Sequence, residues 1–146
     1  MQELIESLQL VPHPEGGFYC QIYKSPTPVT RGDDARAALT IIHFLLLAGE
    51  ISRWHRVTSD EVWTHLKGRP LRLHRFNGVD ASAAILDADS PLHVIPAGEW
   101  QAAEPLGDYA LVACFVAPGF EFADFTLMSD DATAAAKLPE ELRRLI

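Results

Sequence analysis

His55 and Glu61 stand six positions apart in the stretch GEISRWHRVTSDEVWTHLKG, which runs from Gly49 to Gly68. An imidazole that titrates near neutral pH and a carboxylate form a metal-ligand pair, and equally an acid–base pair for moving a proton. The two glycines frame them as in some metal sites, yet Val57 occupies the position where a second histidine is expected. His65 follows Glu61 by four residues, Trp63 shares its strand face, and Arg53 and Arg56 flank His55.

These side chains need a scaffold, and the sequence reads mostly as strands. GFYCQIYKS, RAALTIIHFLLLA, DEVWTHLKG, PLRLHRF, ASAAILD, PLHVIPAGEW and DYALVACFVAPGF are short runs of apolar, β-branched or aromatic residues bounded by Gly, Pro, Asp or Asn. Their even spacing predicts a β-sandwich or barrel. Leu4, Ile5, Leu8 and Val11 recur at helical spacing and predict a short amphipathic helix ending before Pro12. The tail from Asp130 to Ile146 has helix composition, with Asp at its start and Arg near its end, as the helix dipole favours. The central run is apolar on both faces, Leu39, Ile41, Leu45 and Leu47 on one and Ile42, Phe44 and Leu46 on the other. Both faces must be covered, and a second subunit is the expected cover, making a homodimer.

The bulk composition narrows the class. A chain of 146 residues is expected to form one domain over its whole length, 1–146, with a single core. Hydrophobic residues make up 48% and charged residues 22%, too apolar for a disordered chain. A net charge of -8 has the wrong sign for neutralising phosphates, so nucleic acid is not an expected partner. No apolar run approaches the roughly 18 residues of a spanning helix, and MQELIESLQL lacks the pattern of a signal peptide. A cytoplasmic protein without membrane contact is the expectation. Cys20 and Cys114 lie too far apart for a zinc knuckle and read as buried apolar residues.

The spacing of glycine, five residues, His55, then Glu61 and Gly68 resembles the first motif of the cupin superfamily, and PAGEWQ, Pro96 to Gln101, resembles the second with glutamine in place of histidine. HPEGGFY near the start, WHRVTSDEVW, IPAGEWQ and the PGFEF segment narrow the resemblance to the cupin family DUF985 (Cupin_5), from about Leu4 to Met128. The resemblance implies an all-β double-stranded β-helix jelly roll with short N- and C-terminal helices, usually dimeric, with a ligand-sized cavity in the barrel. It brings no established reaction.

In a complete cupin site, two histidines, a glutamate and a third histidine converge; here those positions hold His55, Val57, Glu61 and Gln101. One imidazole, one carboxylate and an amide oxygen fall short of a zinc or iron ligand set. His65 shares the parity of Glu61 but lies roughly 13 Å along an extended strand at about 3.3 Å per residue. His43, His74 and His93 are unplaced by sequence. A divalent metal, if bound, would use His55, Glu61 and Gln101, and no other cofactor is expected. The leading expectation is a metal-independent isomerase or epimerase acting on a sugar-like or keto-acid substrate. In it His55 transfers the proton, Glu61 orients His55, and Gln101, Trp63, Tyr19, His65 and Arg53 surround the ligand. Two alternatives stand beside it: a metal-dependent oxygenase or isomerase, and a non-catalytic ligand-binding module. The plainer readings are a hydrogen-bonded barrel histidine at 55, core packing for Trp54, Trp63 and Trp100, exposed arginines, and a tight turn that accounts for the glycines of HPEGG, from whose start His13 and Glu15 reach the barrel mouth.

Overall fold

Residues 2–146 are described by the computed structural model. The chain opens with one helix, α1 (Gln2–Ser7), and turns at Gln9, whose φ of 54° is left-handed, before Pro12 as the sequence requires. Strands β1 (Val11–Pro12), β2 (Phe18–Lys24), β3 (Pro28–Arg31), β4 (Asp34–Ala37), β5 (Thr40–Leu47), β6 (Ser52–Val57) and β7 (Asp60–Gly68) follow. They continue through β8 (Leu71–Phe76), β9 (Ala81–Leu86), β10 (Leu92–Ile95), β11 (Trp100–Pro105), β12 (Tyr109–Ala117) and β13 (Phe125–Leu127). The tail forms α2 (Ala132–Lys137) and a 3-10 turn (Glu140–Leu145).

The strands pair antiparallel in a six-stranded sheet, β1-β2-β5-β12-β7-β10, a five-stranded sheet, β13-β6-β11-β8-β9, and the β3-β4 hairpin. The two large sheets face each other, and alternation along each strand divides the space between them. Towards one end, Phe44, Leu46, Trp63 and Val112 of the first sheet meet Leu73 and Ala103 of the second in a continuous core. Further along the same faces come smaller or polar residues: Thr40 and Ile42 on β5, Cys114 and Val116 on β12, Glu61 on β7. One half of the barrel is therefore filled and the other left open.

Parts of the outer faces are covered by the chain's own ends. Leu4, Ile5 and Leu8 of the α1 segment pack with Leu10, Leu45 and Leu111, so the cover over this part of β5 is the N-terminal helix rather than the subunit the sequence reading placed there. The C-terminal segment lays Met128, Leu138 and Leu145 over Trp54, Phe76 and Trp100. Trp54 Nε1 donates to the Leu142 carbonyl (3.0 Å), and Asp131 caps α2 by accepting from Ala134 N–H (2.9 Å). Among the described residues no helix is long and apolar enough to cross a membrane.

The run RAALTIIHFLLLA divides into β4 and β5, because the hairpin β3-β4 leaves the main sheet. Strand β6, which carries His55, shows no apolar run; its alternation is between Trp54, packed outward, and His55, facing in. The β3-β4 hairpin is pinned over the open end by Asp124, which accepts from Arg36 at 2.8 and 3.0 Å and lies 2.7 Å from Arg31. Hydrogen bonding from Arg36 holds the Asp124 carboxyl down at about 2. A carboxylate whose folded pKa is depressed contributes stability above its unfolded value, near 3.9, and loses it as pH falls towards the folded one. Asp124→Asn should therefore lower stability near pH 6 by about 1–3 kcal/mol and flatten the loss of stability between pH 4 and 2, read from urea unfolding across that range.

Candidate functional site

The open half of the barrel is a cavity of about 280 Å³, at the lower edge of the roughly 300–1,000 Å³ of small-molecule sites. Its floor is built by the HPEGG turn meeting β5 and β6. Gly16 and Gly17 have φ of 110° and 67°, and a Cβ on either would strike the backbone carbonyl of Ile51 or Leu45, so the turn lies directly against its neighbours. Arg53 straps it: its N–H donates to the Glu15 carbonyl (2.8 Å), and its guanidinium reaches the Pro14 and Glu15 carbonyls. The result is that the Glu15 side chain turns inward and is buried.

Three groups converge on Glu15. Ser52 Oγ donates to Oε1 (2.8 Å), while Oε2 lies 3.2 Å from His55 Nε2 and 3.4 Å from His13 Nδ1. The protonation states follow from the partners. His55 Nδ1 is 2.7 Å from the Arg53 carbonyl, which only accepts, so Nδ1 carries a hydrogen and a neutral His55 presents a lone pair at Nε2. His13 Nδ1 accepts the Glu15 N–H (3.2 Å) and so has no hydrogen of its own. A carboxylate oxygen set between two imidazole lone pairs in a buried space is repulsive unless a proton joins the cluster. Burial pushes the Glu15 carboxyl up to about 8, against the opposing pull of Ser52 and Arg53, and lowers His55. The cluster thus keeps one proton at neutral pH.

Glu61 faces the same cavity from β7. Gln101 Nε2 donates to Glu61 Oε2 (2.6 Å), and Gln101 Oε1 accepts from Trp63 Nε1 (2.7 Å). Because an indole N–H only donates, it fixes the amide oxygen towards Trp63 and the amide N–H towards Glu61. The register that sets Gln101 opposite His55 makes this alignment possible. Burial raises the Glu61 carboxyl to about 7, with His55 opposing and Glu15 adding to the rise, and burial also pushes up the Cys114 thiol that shares the cavity. The walls are aromatic: Phe125 stacks on His55 with centroids 5.4 Å apart, and Tyr19 meets His13 edge-on at 4.6 Å. Lys24 and Glu121 form a 3.0 Å ion pair at the rim.

Of the residues singled out from sequence, His55, Glu61 and Tyr19 line this cavity. Gln101 and Trp63 are completely buried behind Glu61 and serve to hold it, so neither is placed to touch a ligand. Arg53 is occupied on the turn, and a ring nitrogen of His65 bonds the Arg69 carbonyl (3.1 Å) beyond the filled end of the barrel. His43 lies on the opposite strand face from Ile42 and Phe44, His74 is engaged with Glu104, and His93 pairs opposite Trp63 away from the cavity. The sequence reading used HPEGG mainly as a turn and brought His13 and Glu15 only to the rim; in the structure they form the floor. The signal was there in an acid and an imidazole beside two obligatory glycines. Cys114 gave no signal apart from its apolar strand.

The cupin positions do not fit a metal. Val57 offers no donor atom, the oxygen of Gln101 is committed to Trp63, and His13 Nδ1 is committed to the Glu15 N–H. Among the described residues no three His, Cys, Asp or Glu side chains form a metal-holding group.

Two antiparallel sheets rolled about a one-ended cavity, with motif residues on facing strands, define a cupin, a double-stranded β-helix protein. The chain belongs to the family described as Cupin superfamily (DUF985), whose model matches residues 2–128. It is similar to a hypothetical protein from Leishmania major (TM-score 0.89, 26% identity, covering 99% of this chain and 97% of that one). It is also similar to a protein from Shewanella oneidensis (TM-score 0.87, 32% identity, 99% and 94% covered). An uncharacterized conserved protein with a double-stranded β-helix domain from Klebsiella pneumoniae shares the fold at 17% identity (TM-score 0.60, 84% and 92% covered). No curated protein matches.

The Trp63–Gln101–Glu61 chain makes a direct prediction. Gln101→Leu strips Glu61 of its donor and leaves a buried indole N–H without an acceptor, which should cost about 1–3 kcal/mol in urea unfolding. The Glu61 carboxyl should also titrate above its present value of about 7, followed by carboxyl carbon NMR. An unchanged titration would show that Gln101 does not govern Glu61.

Proposed function

We propose that this cupin binds a small polar organic molecule in its barrel and moves a proton on it without a metal, as an isomerase or epimerase of sugar-like or keto-acid compounds. The observation that carries this is the presence, in one cavity, of a cluster that holds a proton and a carboxylate that can accept one. Glu15 Oε2 and His55 Nε2, 3.2 Å apart, hold the proton. Glu61 accepts: Gln101 Nε2 donates to its Oε2, and no other described side chain donates to it. The sequence reading had Glu61 orient His55 and Gln101 bind substrate. The contacts favour other roles, with Glu15 and the Arg53 carbonyl orienting His55 and Gln101 orienting Glu61. An acid and a base within reach of one substrate carbon are what inversion or migration of a C–H bond needs, and a pKa near the working pH suits both.

A second copy of the chain is proposed against the rest of the outer face of the six-stranded sheet. There Ile41, His43 and Phe115 are only half-buried beyond the reach of α1, and Ile22 and Val94 are exposed. Sedimentation velocity should give twice the 16.1 kDa mass, and Phe115→Glu should give the monomer.

The reaction is tested by hydrogen–deuterium exchange. Protein stripped with a chelator, held in D2O with a panel of ketoses, aldoses and 2-keto acids, should exchange the hydrogen α to the carbonyl of one class, read by proton NMR. His55→Ala and Glu61→Gln should each slow it about 10²–10⁴-fold. The rate should rise with pH through about 7 as Glu61 loses its proton, and fall through about 8 as the Glu15–His55 cluster loses its own, giving a narrow bell of apparent values. Full exchange by His55→Ala would remove the assignment, and binding without exchange would leave a ligand-binding module.

A further inference from the structure

The cavity holds one more group that neither the cupin motif nor the proton-transfer pair uses. His13 lies at the start of the HPEGG turn, its side chain only 5% exposed, and its ring lines the cavity. Its Nδ1 edge is fixed by the Glu15 N–H at 3.2 Å, which leaves the hydrogen on Nε2. The two ring nitrogens point in divergent directions, so Nε2–H is aimed away from Glu15. Among the described residues Nε2 has no hydrogen-bond partner, and it is not sealed within protein, since no buried side-chain nitrogen lacks one. Tyr19 holds the ring edge-on at 4.6 Å, and Phe44, Phe122 and Phe125 surround it at 5.8–5.9 Å, so its orientation is set before any ligand arrives.

We propose that His13 is the electrophile of this site: a neutral imidazole whose Nε2–H donates to the carbonyl oxygen of the bound substrate and stabilises the enolate oxygen formed when the neighbouring C–H is broken. This rests on the proton-transfer reading above. The step balances within the site. Glu61 takes the α-hydrogen, the C–H electron pair becomes the new C=C bond, and the carbonyl π pair moves onto the oxygen held by His13. The proton held by Glu15 and His55 is then delivered to carbon and the C=O is restored; Glu61 gives its new proton to solvent and the Glu15–His55 cluster takes one up, so the site is regenerated and no oxidant is consumed.

The surroundings select this role over others. Protonating His13 would place an N–H against the Glu15 N–H and bury a charge, and burial with His55 nearby lowers its pKa to about 3. The titratable groups that face it or share its cavity are Glu15, Tyr19, His55, Glu61 and Cys114, with Lys24 and Glu121 paired at the rim. A fixed neutral donor suits an oxygen that gains charge only during reaction, because it stabilises the transition state without holding a charged ground state. The lining also restricts the substrate. Two carboxylates lie at the floor, and among the described residues no arginine lines the cavity and its one lysine, Lys24, is paired with Glu121 at the rim. The reacting end is therefore a neutral ketone or aldehyde, such as the carbonyl of a ketose or aldose, with any anionic group of the substrate towards the rim.

The test uses acetohydroxamate, a neutral planar mimic of an enol, and does not depend on turnover. In nitrogen-15-labelled protein near pH 7, His13 should appear as the neutral Nε2–H form, and saturating acetohydroxamate should shift its Nε2–H resonance. His13→Phe, which keeps ring volume but removes the donor, should still unfold cooperatively, at a lower melting temperature because the Glu15 N–H loses its acceptor, and should bind acetohydroxamate about tenfold more weakly, while His13→Gln, which restores an N–H, should recover part of the loss. An imidazolium or an Nδ1–H form at His13, no acetohydroxamate-dependent shift, or equal binding by His13→Phe would each overturn the proposal. If these hold and no panel compound exchanges its α-hydrogen, the donor stands and the proton-transfer reading fails.

Discussion

The contact between Glu15 Oε2 and His55 Nε2 is the constraint on which the site depends. Two acceptors 3.2 Å apart, with a third at His13 Nδ1, are tolerable in a buried floor only with a proton among them. Everything that places the proton there belongs to the backbone: the Arg53 carbonyl that selects the His55 tautomer, the Glu15 N–H that selects that of His13, and the paired glycines that let the turn approach β5 and β6. Side-chain identity alone would leave both imidazoles free to choose.

The barrel reaches this arrangement by an uneven filling of its interior. Large residues at one end of the facing strands, Trp63, Phe44 and Leu73 among them, make the core that stabilises the fold, and smaller or polar residues at the other end leave room for a ligand. Trp63 belongs to both regions: its ring packs in the core while its N–H begins the hydrogen-bond chain to Gln101 and Glu61. The carboxylate in the cavity is thereby fixed to the most rigid part of the molecule, which is how a site obtains a defined geometry before a ligand enters.

The cupin positions have been kept and their chemistry changed. Glutamine at the last position turns a metal-ligand site into a hydrogen-bond donor for Glu61, and Glu15, from a turn outside both motifs, comes to the histidine that remains. The surroundings of each carboxylate differ in kind, a neutral amide donor for Glu61 and a serine hydroxyl donor with two imidazole lone pairs for Glu15, and this separates the environments of two acids in one cavity.

What the sequence determined by itself was the all-β class, most of the long strands, the helix that stops before Pro12, and the pair His55 and Glu61, because period-two patterning, turn residues and fixed motif spacing are local signals. It also showed that glycine was required in HPEGG, but not that the turn would fold into the barrel, since that depends on the Ile51 and Leu45 carbonyls it packs against. The placement of Gln101 behind Glu61 rather than beside a ligand, and of His65 beyond the filled end, follows from cross-strand register and from which end of the barrel is packed. Parity along a strand gives the face a residue points to; only the neighbouring strands decide whether that face meets core, cavity or solvent. Tertiary structure alone therefore brought Glu15 and His13 to His55, and that approach sets where the proton resides.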